Sequence, residues 1–134
     1  IRIGYAAASK QIIEILQKIK IPWSVNSLAQ DAANTVLKNK LHLKKSNLVI
    51  KKELNYLINS LSKLDGFDCY DSSTNFILIK TKHNSTKLQQ KLLKHKILIR
   101  DCKNFRGLDN HHIRIAVKSH KDNLKLVRTL ERIA

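Results

Sequence analysis

Two arginines, Arg100 and Arg114, stand fourteen residues apart near the end of the chain. Arg100 closes the apolar run Ile97-Leu98-Ile99, and Arg114 lies inside the alternating stretch His112-Ile113-Arg114-Ile115-Ala116-Val117. A guanidinium in mid-strand is costly to bury without a partner. Two such forks aimed at one cavity suit a small molecule with two anionic groups, because a planar guanidinium matches carboxylate or phosphate bidentately. Period-two alternation puts His112, Arg114 and Ala116 on one strand face and Ile113, Ile115 and Val117 on the other. Between Lys96 and Lys121 the field is basic: Lys96, Arg100, Lys103, Arg106, Arg114, Lys118 and Lys121 face only Asp101 and Asp109. Such a field favours an anionic ligand.

Other reactive residue types form weaker patterns. Cys102 sits between the two arginines, which predicts a lowered thiol pKa. It has no neighbouring base, and an inert thiol is the better expectation. His111 and His112 point to opposite faces of a strand and cannot share one ion; the six histidines show no metal spacing. Paired catalytic carboxylates are not evident. Asn75, at the start of a strand, either lines a site or caps a turn.

The elements that position these residues follow from hydrophobic periodicity. Residues 1–8 predict a strand. Ser9 is the expected N-cap of a helix through Lys20, with Ile12, Ile13, Leu16 and Ile19 on one face, ended by Pro22. Asn26 or Ser27 caps a second helix to about Lys38. A long helix over about 42–64 repeats Ile50, Leu54, Leu57, Leu61 and Leu64 at spacings of three and four, and Asp65-Gly66 stops it. Strands are expected at 67–70 and 75–80, around a turn at 71–74. Ser85 caps a helix to about His95, with Leu88, Leu92 and Leu93 inward. Strands at 97–100 and 112–117 flank the arginine loop. A last helix, about 121–133, buries Leu124, Val127, Leu130 and Ile133. From residue 42 the order is helix, strand, strand, helix, strand, strand, helix. That predicts an α+β fold, a small mostly antiparallel sheet covered by helices. A composition change at Lys38-Asn39-Lys40 marks a domain boundary.

Bulk composition excludes several classes. At 134 residues the chain suits one domain, or one plus a piece of another, and 43% apolar residues suffice for a core. No apolar run approaches the 18 or so residues that cross a membrane, so no membrane partner is expected. Cys69 and Cys102 form no disulfide framework, consistent with a reduced, cytoplasmic protein. Net charge is +16, from 26 Lys+Arg against 10 Asp+Glu. The lysines are spread over every expected helix and the aromatics are not interleaved with them, so nucleic-acid binding is not expected. Methionine is absent and the chain opens on a buried-looking strand, which predicts the carboxy-terminal part of something longer.

Five stretches in register carry a resemblance. They are Ile1-Arg2-Ile3-Gly4-Tyr5, Pro22-Trp23-Ser24-Val25-Asn26-Ser27-Leu28-Ala29-Gln30, Asn75-Phe76-Ile77-Leu78, Ile97-Leu98-Ile99-Arg100-Asp101-Cys102 with Phe105-Arg106-Gly107-Leu108, and Ile113-Arg114-Ile115-Ala116-Val117. In this order they resemble the carboxy-terminal third of fold-type I pyridoxal-phosphate enzymes, in the group of histidinol-phosphate aminotransferase and threonine-phosphate decarboxylase of cobalamin biosynthesis. Pro22-Trp23-Ser24-Val25-Asn26 and the length of the arginine loop look more like the decarboxylase. The resemblance implies that residues 1–38 end a large cofactor-binding domain and 39–134 form the small domain. It implies pyridoxal 5'-phosphate as cofactor, with Arg2 on its phosphate. It implies that Arg114 takes a substrate α-carboxylate, that Arg100 contacts a substrate phosphate and that Asn75 lines the site. The substrate would be a small phosphorylated amino acid, and the full-length protein a homodimer. The cofactor-bearing lysine would precede residue 1, so the chain alone is expected to be inactive. A non-enzymatic basic binding module is the alternative that needs no missing segment.

Overall fold

The computed structural model describes residues 2–133. The chain divides into two compact units, Ile1–Lys45 and Ser46–Ala134. Three helices start it: α1 (Lys10–Ile19), α2 (Ser27–Lys38) and α3 (Lys40–Leu61), the last supplying its residues from Ser46 onward to the second unit. There follow β1 (Phe67–Cys69), β2 (Phe76–Thr81), α4 (Ser85–Lys94), β3 (Arg100–Asp101), β4 (His112–Ala116) and α5 (His120–Ile133).

In the second unit the four strands form one antiparallel sheet in the order β1-β2-β4-β3. Alternation sends Ile77 and Ile79 of β2 and Ile113 and Ile115 of β4 to one face, and all four are buried. Leu54, Leu57 and Leu61 of α3, Leu88 and Leu92 of α4, and Leu126, Val127 and Leu130 of α5 cover that face. Each such side chain contributes roughly 1.5–3 kcal/mol when fully buried. The opposite face carries Leu78 and Arg114, which are direct cross-strand partners. The expected α+β architecture is the observed one.

Local readings depart from the structure where backbone groups find other partners. Ile1, first residue of the expected opening strand, lies outside the described residues, and 2–8 form no strand. A strand needs a neighbour to take its ladder bonds, and the first unit offers none among its described residues. Strand 97–100 shrinks to Arg100–Asp101. Lys96, at φ 59°, ends α4 in the left-handed region; its N–H donates to Leu93 O at 2.9 Å, and that of Ile97 to Leu92 O at 3.1 Å. That pair is a Schellman cap, so Ile97 cannot also join a ladder. The cap of α4 is Asn84, whose Oδ1 accepts from the Lys87 N–H at 3.1 Å; Ser85 is turned elsewhere. Leu93 is exposed and Leu126 is buried, with Leu124 only half-buried. Ser9 opens α1 without a side-chain cap bond, whereas Asn26 does cap α2, accepting from Ala29 N–H at 2.8 Å.

In the first unit α1 and α2 are amphipathic, but Ala29 is the one buried residue of the two helices. Of the expected face, Ile12, Leu16 and Ile19 are exposed and Ile13 is half-buried.

Candidate anion-binding site

Arg114 sits in the middle of the sheet, paired with Leu78 on β2 and with Arg100 on β3. The two arginines are thus directly opposite one another across a strand pair. Like charges so placed repel, and an anion between them would relieve that repulsion. Arg100, Arg114, Asn75, Phe76, Gln89 and Leu98 line one hollow of about 570 Å³. The sequence-derived candidates Asn75, Arg100 and Arg114 therefore share a cavity, Arg114 half-buried and the other two exposed.

Aromatic rings hold both forks. Arg114 Cζ lies 4.8 Å from the Phe76 ring centroid, and Arg100 Cζ lies 5.4 Å from that of Phe105. A guanidinium over an aromatic face is attracted by the ring quadrupole while its N–H edges stay available. Gln89 Nε2 donates to the carbonyl of Ile99 at 2.7 Å, which ties α4 to the chain just before Arg100. The carbonyl of Asn75 accepts from Val117 N–H at 2.8 Å, fixing the rim.

Neither arginine has an acidic partner among the described residues. Both acids of the connecting loop are occupied. Asp101 accepts from Ser85 and Thr86 on α4. Asp109 Oδ1 faces His112 Nδ1 at 2.7 Å and accepts from His111 N–H at 2.9 Å. These donors, the backbone N–H of His111 before the His112 ring, hold the Asp109 carboxyl below the ordinary aspartate range. The local field is left strongly positive.

Cys102 corrects an expectation. Its thiol pKa is raised, because burial outweighs the opposing pull of Arg114 and Arg100. It is buried and its Sγ faces the carbonyl of Arg100 at 3.7 Å, so it is the inert thiol expected. His111 and His112 turn apart as alternation requires. His111 Nδ1 faces Thr81 O at 3.1 Å, and His112 Nε2 faces the Tyr70 hydroxyl at 3.4 Å. Phe76 and Phe105 stood in the stretches that carry the resemblance but were given no role, and Gln89 was not singled out. The available signal was spacing: Phe76 alternates with Leu78, and Gln89 lies one helical turn after Ser85.

Arg2 belongs to the first unit, exposed, in the coil before α1. An accessible, permanently charged fork is chemically suited to a phosphate dianion.

Residues 1–133 match the family model described as aminotransferase class I and II. The chain belongs to that family, whose members in general depend on pyridoxal phosphate. Among its relatives is a provisionally assigned threonine-phosphate decarboxylase of Caldanaerobacter subterraneus subsp. tengcongensis, 37% identical over 97% of this chain and 36% of that protein. The crystal structure of the histidinol-phosphate aminotransferase from Clostridium acetobutylicum superposes with TM-score 0.84 at 35% identity, over 92% of this chain and 38% of that one. That of L-threonine-O-3-phosphate decarboxylase from Porphyromonas gingivalis gives 0.78 at 30% identity, over 93% and 39%. The chain thus spans less than two-fifths of the length of these proteins. Its fold is that of the carboxy-terminal part of fold-type I aminotransferases and decarboxylases.

Proposed function

We propose that the chain is the carboxy-terminal part of a pyridoxal-phosphate-dependent threonine-phosphate decarboxylase, which releases carbon dioxide from threonine O-phosphate to give aminopropanol phosphate for cobalamin biosynthesis. The observation that carries this reading is the pair Arg100 and Arg114, opposite one another in one hollow and without acidic partners. A small molecule with a carboxylate at one end and a phosphate at the other would satisfy both. Kinship to the Caldanaerobacter protein supports the choice of reaction.

In this reading residues 1–38 end the large cofactor-binding domain and 39–134 form the small one. Arg2 holds the cofactor phosphate. When bound, pyridoxal phosphate supplies an electron sink for the pair left at Cα as carbon dioxide departs. Arg114 takes the α-carboxylate and Arg100 the substrate phosphate, while Asn75 lines the wall between them. Gripping both ends fixes the rotation about Cα and so decides which bond breaks. The cofactor-bearing lysine belongs to a part of the protein outside these 134 residues, and the chain alone is inactive. In the same reading the full-length enzyme is a homodimer and cytoplasmic. Among the described residues no helix is long and apolar enough to cross a membrane.

A second reading, histidinol-phosphate aminotransferase, is favoured by the likeness to the Clostridium structure. The two are separated by product. The full-length protein with threonine phosphate should release carbon dioxide and aminopropanol phosphate in equal amounts. Keto-acid-dependent turnover of histidinol phosphate, with no carbon dioxide, would replace the first reading by the second.

A further inference from the structure

The strand that carries Arg100 is only two residues long and lies at the sheet edge. So short a ladder, continued by Cys102 N–H donating to His112 O at 3.0 Å, is a weak tether against repulsion from Arg114, its direct partner. Some other group must hold it. The next residue, Asp101, faces the opposite way by strand alternation, and there its carboxylate is nearly enclosed, with a side chain 12% exposed. Oδ1 accepts from the Ser85 hydroxyl at 2.8 Å and from the Lys103 N–H at 3.0 Å. Oδ2 accepts from the Thr86 hydroxyl at 2.7 Å, and the Lys103 ammonium stands 3.6 Å away. Ser85 is itself fully buried, and its N–H donates to Asn110 O at 2.7 Å. The first turn of α4 is thereby tied to both ends of the loop that joins the arginines. A carboxylate also suits that turn, where the helix presents its positive end.

We propose that Asp101 is a positioning residue for anion binding: by lashing β3 to the first turn of α4, it keeps the Arg100 fork in register with Arg114. The inference rests on reading the hollow as an anion site. It separates the acid's role from neutralisation. Asp101 lies beside Arg100 in sequence, yet it spends its hydrogen-bonding capacity on hydroxyls of α4 and on Lys103, and leaves the guanidinium to a ligand.

The test titrates inorganic phosphate into the 134-residue chain and follows the arginine Nε–H resonances by NMR. Arg100→Ala and the unaltered chain define the site. Asp101→Ala should weaken phosphate binding roughly tenfold and lower the order of the Arg100 Nε–H group. Asp101→Asn keeps one acceptor oxygen toward Ser85 and Lys103, and should recover part of both. Should Asp101→Ala fail to fold, Thr86→Val removes a single donor and should show the same loosening, with binding weakened roughly threefold. Variants that melt earlier but leave Arg100 order and phosphate affinity unchanged, while Arg100→Ala abolishes binding, would overturn the positioning role and spare the site. No phosphate binding by the unaltered chain would sink the anion-site reading instead, and Arg100 order in the Asp101 variants would still decide the positioning role.

Discussion

At the scale of single residues, the two arginines are distinguished by what they lack. Their loop contains two acids, yet both are satisfied elsewhere. Arg114→Lys keeps the charge but loses the planar fork and its fit over Phe76. In the full-length enzyme proposed above it should cut kcat/KM by roughly a hundredfold, about 2.7 kcal/mol of transition-state stabilisation; a lysine variant within threefold of the parent would show that no bidentate contact is made there. The pair was legible in the sequence, because a charge in mid-strand contradicts an otherwise apolar alternation. Gln89 was not legible, since its bond to Ile99 O depends on where α4 ends. Glu53 was also missed. It is a buried acid on α3, and its Oε2 accepts from Asn123 Nδ2 at 2.9 Å and faces His120 Nδ1 at 3.2 Å. The Asn123 hydrogen bond, aided by His120 and opposed by burial, holds its carboxyl below the ordinary value of 4.5. A depressed folded pKa means the unfolded chain takes up the proton first. The contribution is therefore complete above 4.5 and is lost as pH falls through the lower folded value. Urea midpoints measured from about pH 6 down to about pH 3, the span of carboxylate titration, should fall less steeply in Glu53→Gln than in the parent.

At the scale of elements, the departures from simple periodicity share one cause: a backbone group already committed to a cap or a side chain cannot serve a ladder. Ile97-Leu98-Ile99 reads as a strand by composition, but Ile97 N–H belongs to the α4 cap and Ile99 O to Gln89. The opening segment reads as a strand by composition too, and lacks a described neighbour to pair with. The turn after α3 was read at Asp65-Gly66, because glycine marks it, although the helix itself ends three residues before the expected Leu64, at Leu61. Gly66 has φ +78°, and an added Cβ would lie 2.4 Å from Lys82 Cγ and Cδ. Lys82 N–H donates to Gly66 O at 3.0 Å, and the Lys82 ammonium pairs with Asp65, so the side chain has contacts to lose in yielding. Gly66→Ala should lower unfolding free energy by about 1–3 kcal/mol through backbone strain and that displacement, read as a lower urea midpoint at unchanged slope. Asn84→Ala removes the cap of α4 and should cost about 1 kcal/mol; a neutral result would show that Ser85 can take over the role the sequence first suggested for it.

At the scale of the whole chain, burial is distributed unevenly. Every member of the core cluster, from Leu54 to Leu130, lies in Ser46–Ala134. In Ile1–Lys45 the amphipathic helices were legible, but what covers them was not, because a hydrophobic stripe does not name its partner. Ile19 is 70% exposed, Trp23 99% and Leu28 73%. Ordering a residue's backbone costs about 1–2 kcal/mol, and so little burial cannot offset that over the first 45 residues. The second unit can, because its sheet is closed on one face by three helices. Stability should therefore be local. Amides of Ile77, Ile79, Ile113 and Ile115 should exchange only through global unfolding, while those of Lys10–Ile19 and Ser27–Lys38 exchange orders of magnitude faster. Residues 46–134 expressed alone should melt in one cooperative transition close to that of the whole chain, and 1–45 alone should bind a hydrophobic dye without a melting transition. If deleting residues 1–45 unfolds the remainder, the α+β unit is not self-sufficient, and its core must draw on more than the side chains named above.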